Sequence, residues 1–142
     1  MRVAFGTDER TALTDTVSRL VGELGHEVTI VANPEVWPEA GRLVGEAVAS
    51  GRVDRGLVCC WTGTGVSIAA NKVPGVRAAL CTDAETARGA RRWNDANVLA
   101  FGLRLTSEVV AREMLEAFLA TDVDDDERAN IDRVERSGGP AR

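Results

Sequence analysis

The stretch Cys60-Trp61-Thr62-Gly63-Thr64-Gly65-Val66-Ser67 holds a thiol, two glycines and three hydroxyls within eight residues. Glycines at 63 and 65 let successive backbone N–H groups turn toward one point, and Thr62 and Ser67 add hydroxyl donors where a helix would begin. The first amides of a helix have no partners of their own, so such a segment can cradle an anion or a developing oxyanion. A thiol that ionises beside that cradle is a base or a nucleophile. Better-known motifs do not fit. A dinucleotide fingerprint needs a third glycine where Ile68 stands, a P-loop lysine is absent, and a Cys-x5-Arg phosphatase loop needs arginine at Val66. On spacing alone a tight strand-to-helix turn around a buried cysteine accounts for the segment equally well.

Other chemistry is sparse. The single histidine, His26, and the absence of Cys-x-x-Cys spacing predict no metal site and no metal cofactor. Cys59 and Cys60 are adjacent, and neighbours in a strand point to opposite faces, so a paired-thiol redox role is disfavoured. Three cysteines make no disulfide framework and suit a reducing, cytoplasmic setting.

The elements that must position Cys60 read as alternating strands and helices. Arg2 to Gly6 is a short apolar strand, and Leu13, Val17, Leu20, Val21 and Leu24 recur at helical spacing before Gly25. His26 to Val31 is strand-like, Asn33-Pro34 and Trp37-Pro38 punctuate a loop, and Ala40 to Ser50 is helical with Gly51 as its stop. Asp54 to Cys60 is apolar on both faces, as a central parallel strand is, and leads through the glycine turn into a helix over Val66 to Ala70. Strands at Arg77 to Cys81 and Val98 to Phe101, with helices at Ala84 to Arg92 and Ser107 to Ala120, complete the series. The pattern predicts one α/β domain over residues 1–121, a doubly wound, Rossmann-like parallel sheet of about five strands. Residues 122–142 read as an acidic linker and a C-terminal arm at Ala129 to Glu135, fraying from Ser137. Ligands of such sheets bind beyond the carboxyl ends of the strands, so the loops after Gly6, Cys60, Cys81 and Phe101 are expected to converge.

Seventeen basic against 22 acidic residues argue against nucleic acid as a partner, and no apolar run is long enough to span a membrane. The opening residues reach Asp8 and Glu9 too soon for a secretory signal.

Four segments carry a resemblance across nearly the whole chain. They are Val3-Ala4-Phe5-Gly6-Thr7-Asp8, residues 48–56, Cys60 through Ala78, and Asn94-Asp95-Ala96-Asn97-Val98-Leu99-Ala100-Phe101-Gly102. In these the chain resembles the ribose-5-phosphate isomerase B and galactose-6-phosphate isomerase family. The resemblance implies an aldose–ketose isomerase of a small phosphosugar, working through an enediolate without a cofactor, as a homodimer or a dimer of dimers. It implies Cys60 as the base and Thr62, with the backbone of Gly63, Thr64 and Gly65, as the oxyanion site, Ser67 lying one turn on. Asp8 and Asn94 match sugar-hydroxyl ligands, although on residue type alone both are ordinary cap and turn residues. Arg104 and Arg133 match phosphate ligands, the latter from the partner subunit, and guanidinium forks suit phosphate. The family's C-terminal arginines stand four apart, whereas Arg128 and Arg133 are five apart, which makes Arg128 the weaker match.

Departures from the family point to an altered substrate. Glu9 stands where the family has histidine, Trp61 where it has glycine, Trp37 where it has tyrosine, and Trp93 where it has the histidine that opens the furanose ring. Three tryptophans in pocket loops would narrow the site and favour stacking on a ligand. Indole donates a hydrogen bond but does not titrate near neutral pH, so ring opening is lost and a tetrose 4-phosphate or other open-chain phosphosugar becomes the expected substrate. The competing expectation is a non-catalytic phosphosugar-binding or regulatory relative.

Overall fold

The computed structural model describes residues 1–137. Five strands, β1 (Arg2–Thr7), β2 (Glu27–Ala32), β3 (Arg55–Cys60), β4 (Ala78–Leu80) and β5 (Val98–Gly102), form one all-parallel sheet in the order β2-β1-β3-β5-β4. Between and after them run α1 (Ala12–Glu23), α2 (Trp37–Ala49), α3 (Thr64–Asn71), α4 (Ala84–Asn94) and α5 (Glu108–Ala120), and a short 3-10 turn leads into α6 (Arg128–Ser137). Ser137, where fraying is expected to start, is instead the last residue of α6, and the rest of that expectation lies outside the described residues.

Strand alternation divides the core. Val3, Phe5, Leu57, Cys59, Leu99 and Phe101 face α1, α4 and α5, while Ala4, Val58, Cys60, Val98 and Ala100 face α2 and α3. Both faces of β3 are therefore covered, which is why its sequence is apolar throughout. Local signals set the helix ends. Thr11 with Thr14, and Asp83 with Thr86, form capping boxes that open α1 and α4, and Gly25 and Gly51 follow α1 and α2 with φ of +85° and +75°.

Two boundaries differ from the sequence reading. Trp37 and Pro38 are not loop residues but the first turn of α2, where proline's missing N–H costs no hydrogen bond. The fourth helix runs on through Trp93 and Asn94, and Asp95, left-handed at φ +46°, ends it.

After β1 the chain moves through α1 to β2 on one side, then crosses back to β3 on the other. The strand order thus reverses between β1 and β3, and a crevice opens beyond their carboxyl ends.

Candidate active site

Thr7 at the end of β1 lies in register with Cys59, so Asp8 and Cys60 emerge together at that crevice. Cys60 turns toward α2 and α3 and is 6% exposed. The sequence reading expected a partly exposed thiol; Cys60 is nearly buried because it is still paired in the sheet, opposite Gly102. Cys59 points into the opposite core, where burial pushes its thiol up to about 12, and burial raises Cys81 to about 11. Of the three thiols, Cys60 alone belongs to the crevice.

The loop after Cys60 is pinned through its backbone. Leu103 N–H donates to the Cys60 carbonyl at 2.9 Å, and Arg104 N–H to that of Trp61 at 2.9 Å, which sets the exposed Arg104 beside the loop. Gly63 has φ +78°, and a Cβ there would lie 2.6 Å from the carbonyl carbon of Phe101, so no side chain fits. As the N-cap of α3, Gly63 offers its helix no side-chain acceptor. The first intrahelical bond joins Ser67 N–H to the Gly63 carbonyl at 3.2 Å. The amides of Thr64, Gly65 and Val66 precede it, the first reaching only the Thr62 hydroxyl at 3.4 Å. The cradle expected from the glycines is present, with exposed Thr62 at its edge. Ser67 does not contribute its hydroxyl, which donates to the Thr64 carbonyl at 2.8 Å inside α3.

One wall of the crevice is Trp37, whose ring lies over Gly65 so closely that a Cβ there would meet it at 2.9 Å. Trp37 also lines, with Asp8, Pro34, Glu35, Val36 and Pro38, a cleft of about 640 Å³. Glu9, next in the chain to Asp8, is exposed and held where the Thr7 hydroxyl donates to the Glu9 carbonyl at 2.7 Å and accepts from its N–H at 3.2 Å.

Asp8 is the electrostatically unusual member. Its Oδ1 is buried without a hydrogen-bond partner among the described residues, and burial, then the nearby Glu9, raises its carboxyl above the usual range. A carboxyl raised on folding favours the folded state most when protonated. That support is complete below the ordinary carboxylate range and is lost as pH rises through the raised value. Asp8→Asn is therefore expected to raise Tm at pH 7 and to give no gain below about pH 3.8, the ordinary carboxylate value. Thermal unfolding of both proteins across that range checks it; a constant difference would assign the effect to packing instead.

A second group of expected site residues lies elsewhere. The fourth helix returns toward the amino end of the sheet, and Val98, where β5 begins, pairs with Gly56, four residues before Cys60. Trp93 and Asn94 line a groove with Arg77 and Ala78, where β4 begins, whereas Cys60 stands where β3 ends. Trp93 is thus neither in a loop nor in the pocket of its own chain, a correction to the reading of three pocket tryptophans; of these only Trp61 is in a loop. The exposed residues Arg128 and Arg133 ride on α6, and Arg128 pairs with Asp125 at 3.4 Å. A groove of about 1140 Å³ at this end is lined by Asn71, Arg77, Trp93, Asn94, Ile131 and Val134, among others. His26 also lies away from the crevice, its Nδ1 3.1 Å from the Met1 amino group.

The sequence reading missed the ion network behind that corner. Arg91 is 1% exposed, donates to Asp95 Oδ1 at 2.8 Å and to the carbonyls of Ala96 at 2.6 Å and Thr121 at 3.1 Å, and lies over the Phe118 ring. The signal was its place one turn after the buried Ala87 on the apolar face of α4. Among the described residues no three His, Cys, Asp or Glu side chains converge to hold a metal ion, and no helix is long and apolar enough to cross a membrane.

Residues 3–136 match the family model described as Ribose/Galactose Isomerase. The chain is 40% identical to ribose-5-phosphate isomerase B of Escherichia coli over 83% of each protein. It is 32% identical to a D-erythrulose-4-phosphate isomerase of Pectobacterium atrosepticum, over 97% of this chain and 93% of that one. The solved structure of Clostridium thermocellum ribose-5-phosphate isomerase B superposes with a TM-score of 0.91 at 35% identity, covering 96% of this chain and 97% of that one.

Proposed function

This chain belongs to the ribose/galactose isomerase family and is a sugar-phosphate isomerase, and we propose that it interconverts an aldose phosphate and its ketose through a cis-enediolate with Cys60 as base. The observation that carries this reading is the meeting of Cys60 and the uncapped first turn of α3 in the crevice between β1 and β3. The Cys60 thiolate takes the proton from C2 of the aldose and returns it to C1, while the O2 hydroxyl proton passes to O1. As the C2 proton leaves, negative charge moves onto the carbonyl oxygen, where the Thr62 hydroxyl and the amides of residues 63–66 hold it. Fixed dipoles need no reorganisation as the charge appears. Asp8 orients a sugar hydroxyl, and its unpartnered oxygen suits that role.

The working enzyme in this proposal is a homodimer. Asn94, Trp93 and the α6 arm that carries Arg133 gather around Arg77 at the amino end of the sheet, away from their own Cys60, and a two-fold axis beside the β4 edge would bring one chain's amino end to the other's crevice. Each of the two sites would then draw on both chains. Exposed Trp61, Ile68 and Leu80 near one end, and Trp93 and Val134 at the other, are apolar surface suited to such an interface. Arg104 and the partner's arm then close on the phosphate. Glu9, Trp37 and Trp61 shape a pocket for a short, open-chain phosphosugar such as a tetrose 4-phosphate. Three unpaired cysteines fit the reducing cytoplasm.

Complementation tests the composite site. Cys60→Ser and Arg133→Ala should each be nearly inactive alone. After subunit exchange an equal mixture should recover about a quarter of the wild-type rate, since half the dimers are mixed and half of their sites are intact. No recovery from a mixture shown to exchange would place Cys60 and Arg133 in the same chain's site and overturn the proposal.

A further inference from the structure

Arg77 stands at the amino end of β4 with its side chain only 20% exposed, between two parts of the molecule that the sheet does not join. On one side is the corner after α4. Arg77 Nε donates to the Asp95 carbonyl at 2.9 Å, and Nη2 to Asp95 Oδ2 at 3.3 Å. On the other side is the arm, where Nη1 pairs with Glu135 of α6. We infer that Arg77 is a positioning residue that locks the α6 arm and the Trp93–Asn94 corner into one unit, so that both reach the partner's crevice in a fixed relation. The inference rests on the composite site proposed above.

The corner requires such a lock. Asp95 is left-handed at φ +46°, a conformation that aspartate tolerates better than most residues with a Cβ, and two guanidinium groups hold its carboxylate there, Arg91 on Oδ1 and Arg77 on Oδ2. Backbone bonds add to the hold, because Arg77 N–H donates to the Asn97 side chain at 2.8 Å and Asn97 N–H to the Arg77 carbonyl at 3.0 Å.

The turn before the arm is held to α4, where Asp124 N–H donates to the Arg92 carbonyl at 2.8 Å and Arg92 pairs with Asp124 at 3.0 Å, but α6 itself has little else to fix it. No residue of α6 is buried, and its Arg128 and Asn130 pair back onto the adjoining turn, with Asp125 and Glu127. Among the described residues Arg77–Glu135 is the ion pair that ties α6 to the sheet layer. Planar guanidinium with separate Nε, Nη1 and Nη2 donors can serve Asp95 and Glu135 at once, which the single ammonium of lysine cannot do in the same geometry. Glu135 lies on α6 with Arg133, so releasing it lowers the fraction of arms presented correctly. Apparent affinity for the phosphosugar falls by that fraction.

The experiment compares Glu135→Gln, Arg77→Gln, Arg77→Lys, the Glu135→Gln/Arg77→Gln double variant and Arg133→Ala, with KM, kcat and Tm measured on the full-length dimer. Glu135→Gln should raise KM about fivefold with kcat and Tm nearly unchanged, as for a partly exposed pair. Arg77→Gln should raise KM further and lower Tm, because Asp95 also loses a partner, and Arg77→Lys should recover only part of the loss. Adding Glu135→Gln to Arg77→Gln should change KM no further. If Arg133→Ala raises KM while Glu135→Gln does not, the clamp is wrong and the composite site stands. If Arg133→Ala leaves KM unchanged, the composite site fails and the clamp falls with it.

Discussion

Cys60→Ser is expected to lower kcat by about a thousandfold while leaving KM within about twofold, because a serine hydroxyl cannot supply the base that the proton transfer needs. The exchange is nearly isosteric and the side chain is buried in a small-residue core, so the fold and the ligand contacts persist. Cys59 and Cys81 are controls of the same type in different surroundings. Both are buried with their thiols raised well above neutrality, so neither supplies thiolate at pH 7. Changing Cys59 or Cys81 to serine should lower Tm through a buried hydroxyl and leave kcat within about threefold. Single-turnover rates with each variant make the comparison. Equal losses in all three would assign the effect to folding or oxidation and remove Cys60 from the chemistry.

The fold was legible because its signals are local and periodic. Five apolar strands, helix-stopping glycines and the doubly covered sequence of β3 recur in the structure within a residue or two. Trp37-Pro38 misled because proline reads as a breaker unless its place in the first helical turn is known. Cys60 and the cradle were visible as residue types, but the thiol's near burial was not, since it depends on the pairing with Gly102 and on α2 and α3 closing over the strand end. Trp93 reads as a loop residue in the sequence and stands in the last turn of α4. Its identity pointed to the chemistry, but which end of the sheet a helix terminus occupies follows from chain direction, and α4 leads into the start of β5, where Val98 pairs with Gly56. The same geometry turns a mismatch within one chain into a reason for a second. Arg77 and Glu135 were silent, because an ion pair between residues 58 apart leaves no local pattern.

Erythrose 4-phosphate is expected to be turned over with kcat/KM at least about tenfold above that of ribose 5-phosphate, and the reason is what indole cannot do. A pentose 5-phosphate has a free O4 hydroxyl and closes to a furanose, so an enzyme that cannot open the ring waits for the free aldehyde, and its apparent affinity falls by that fraction. A tetrose 4-phosphate has O4 esterified and cannot close that ring. Opening requires a proton to leave the anomeric hydroxyl and another to reach the ring oxygen, a transfer imidazole performs near neutral pH. Trp93 offers one N–H donor that does not titrate. In the proposed homodimer, Trp93 in the partner's crevice would also narrow the space available to a fifth and sixth carbon. Trp93→His should therefore raise kcat/KM for ribose 5-phosphate about tenfold and leave the tetrose value within about twofold, since only the ring-closed substrate gains from a proton shuttle. A wild type that prefers ribose 5-phosphate, or a Trp93→His variant whose ribose 5-phosphate rate stays put while Cys60 proves essential, would show that ring opening does not set the preference of this site.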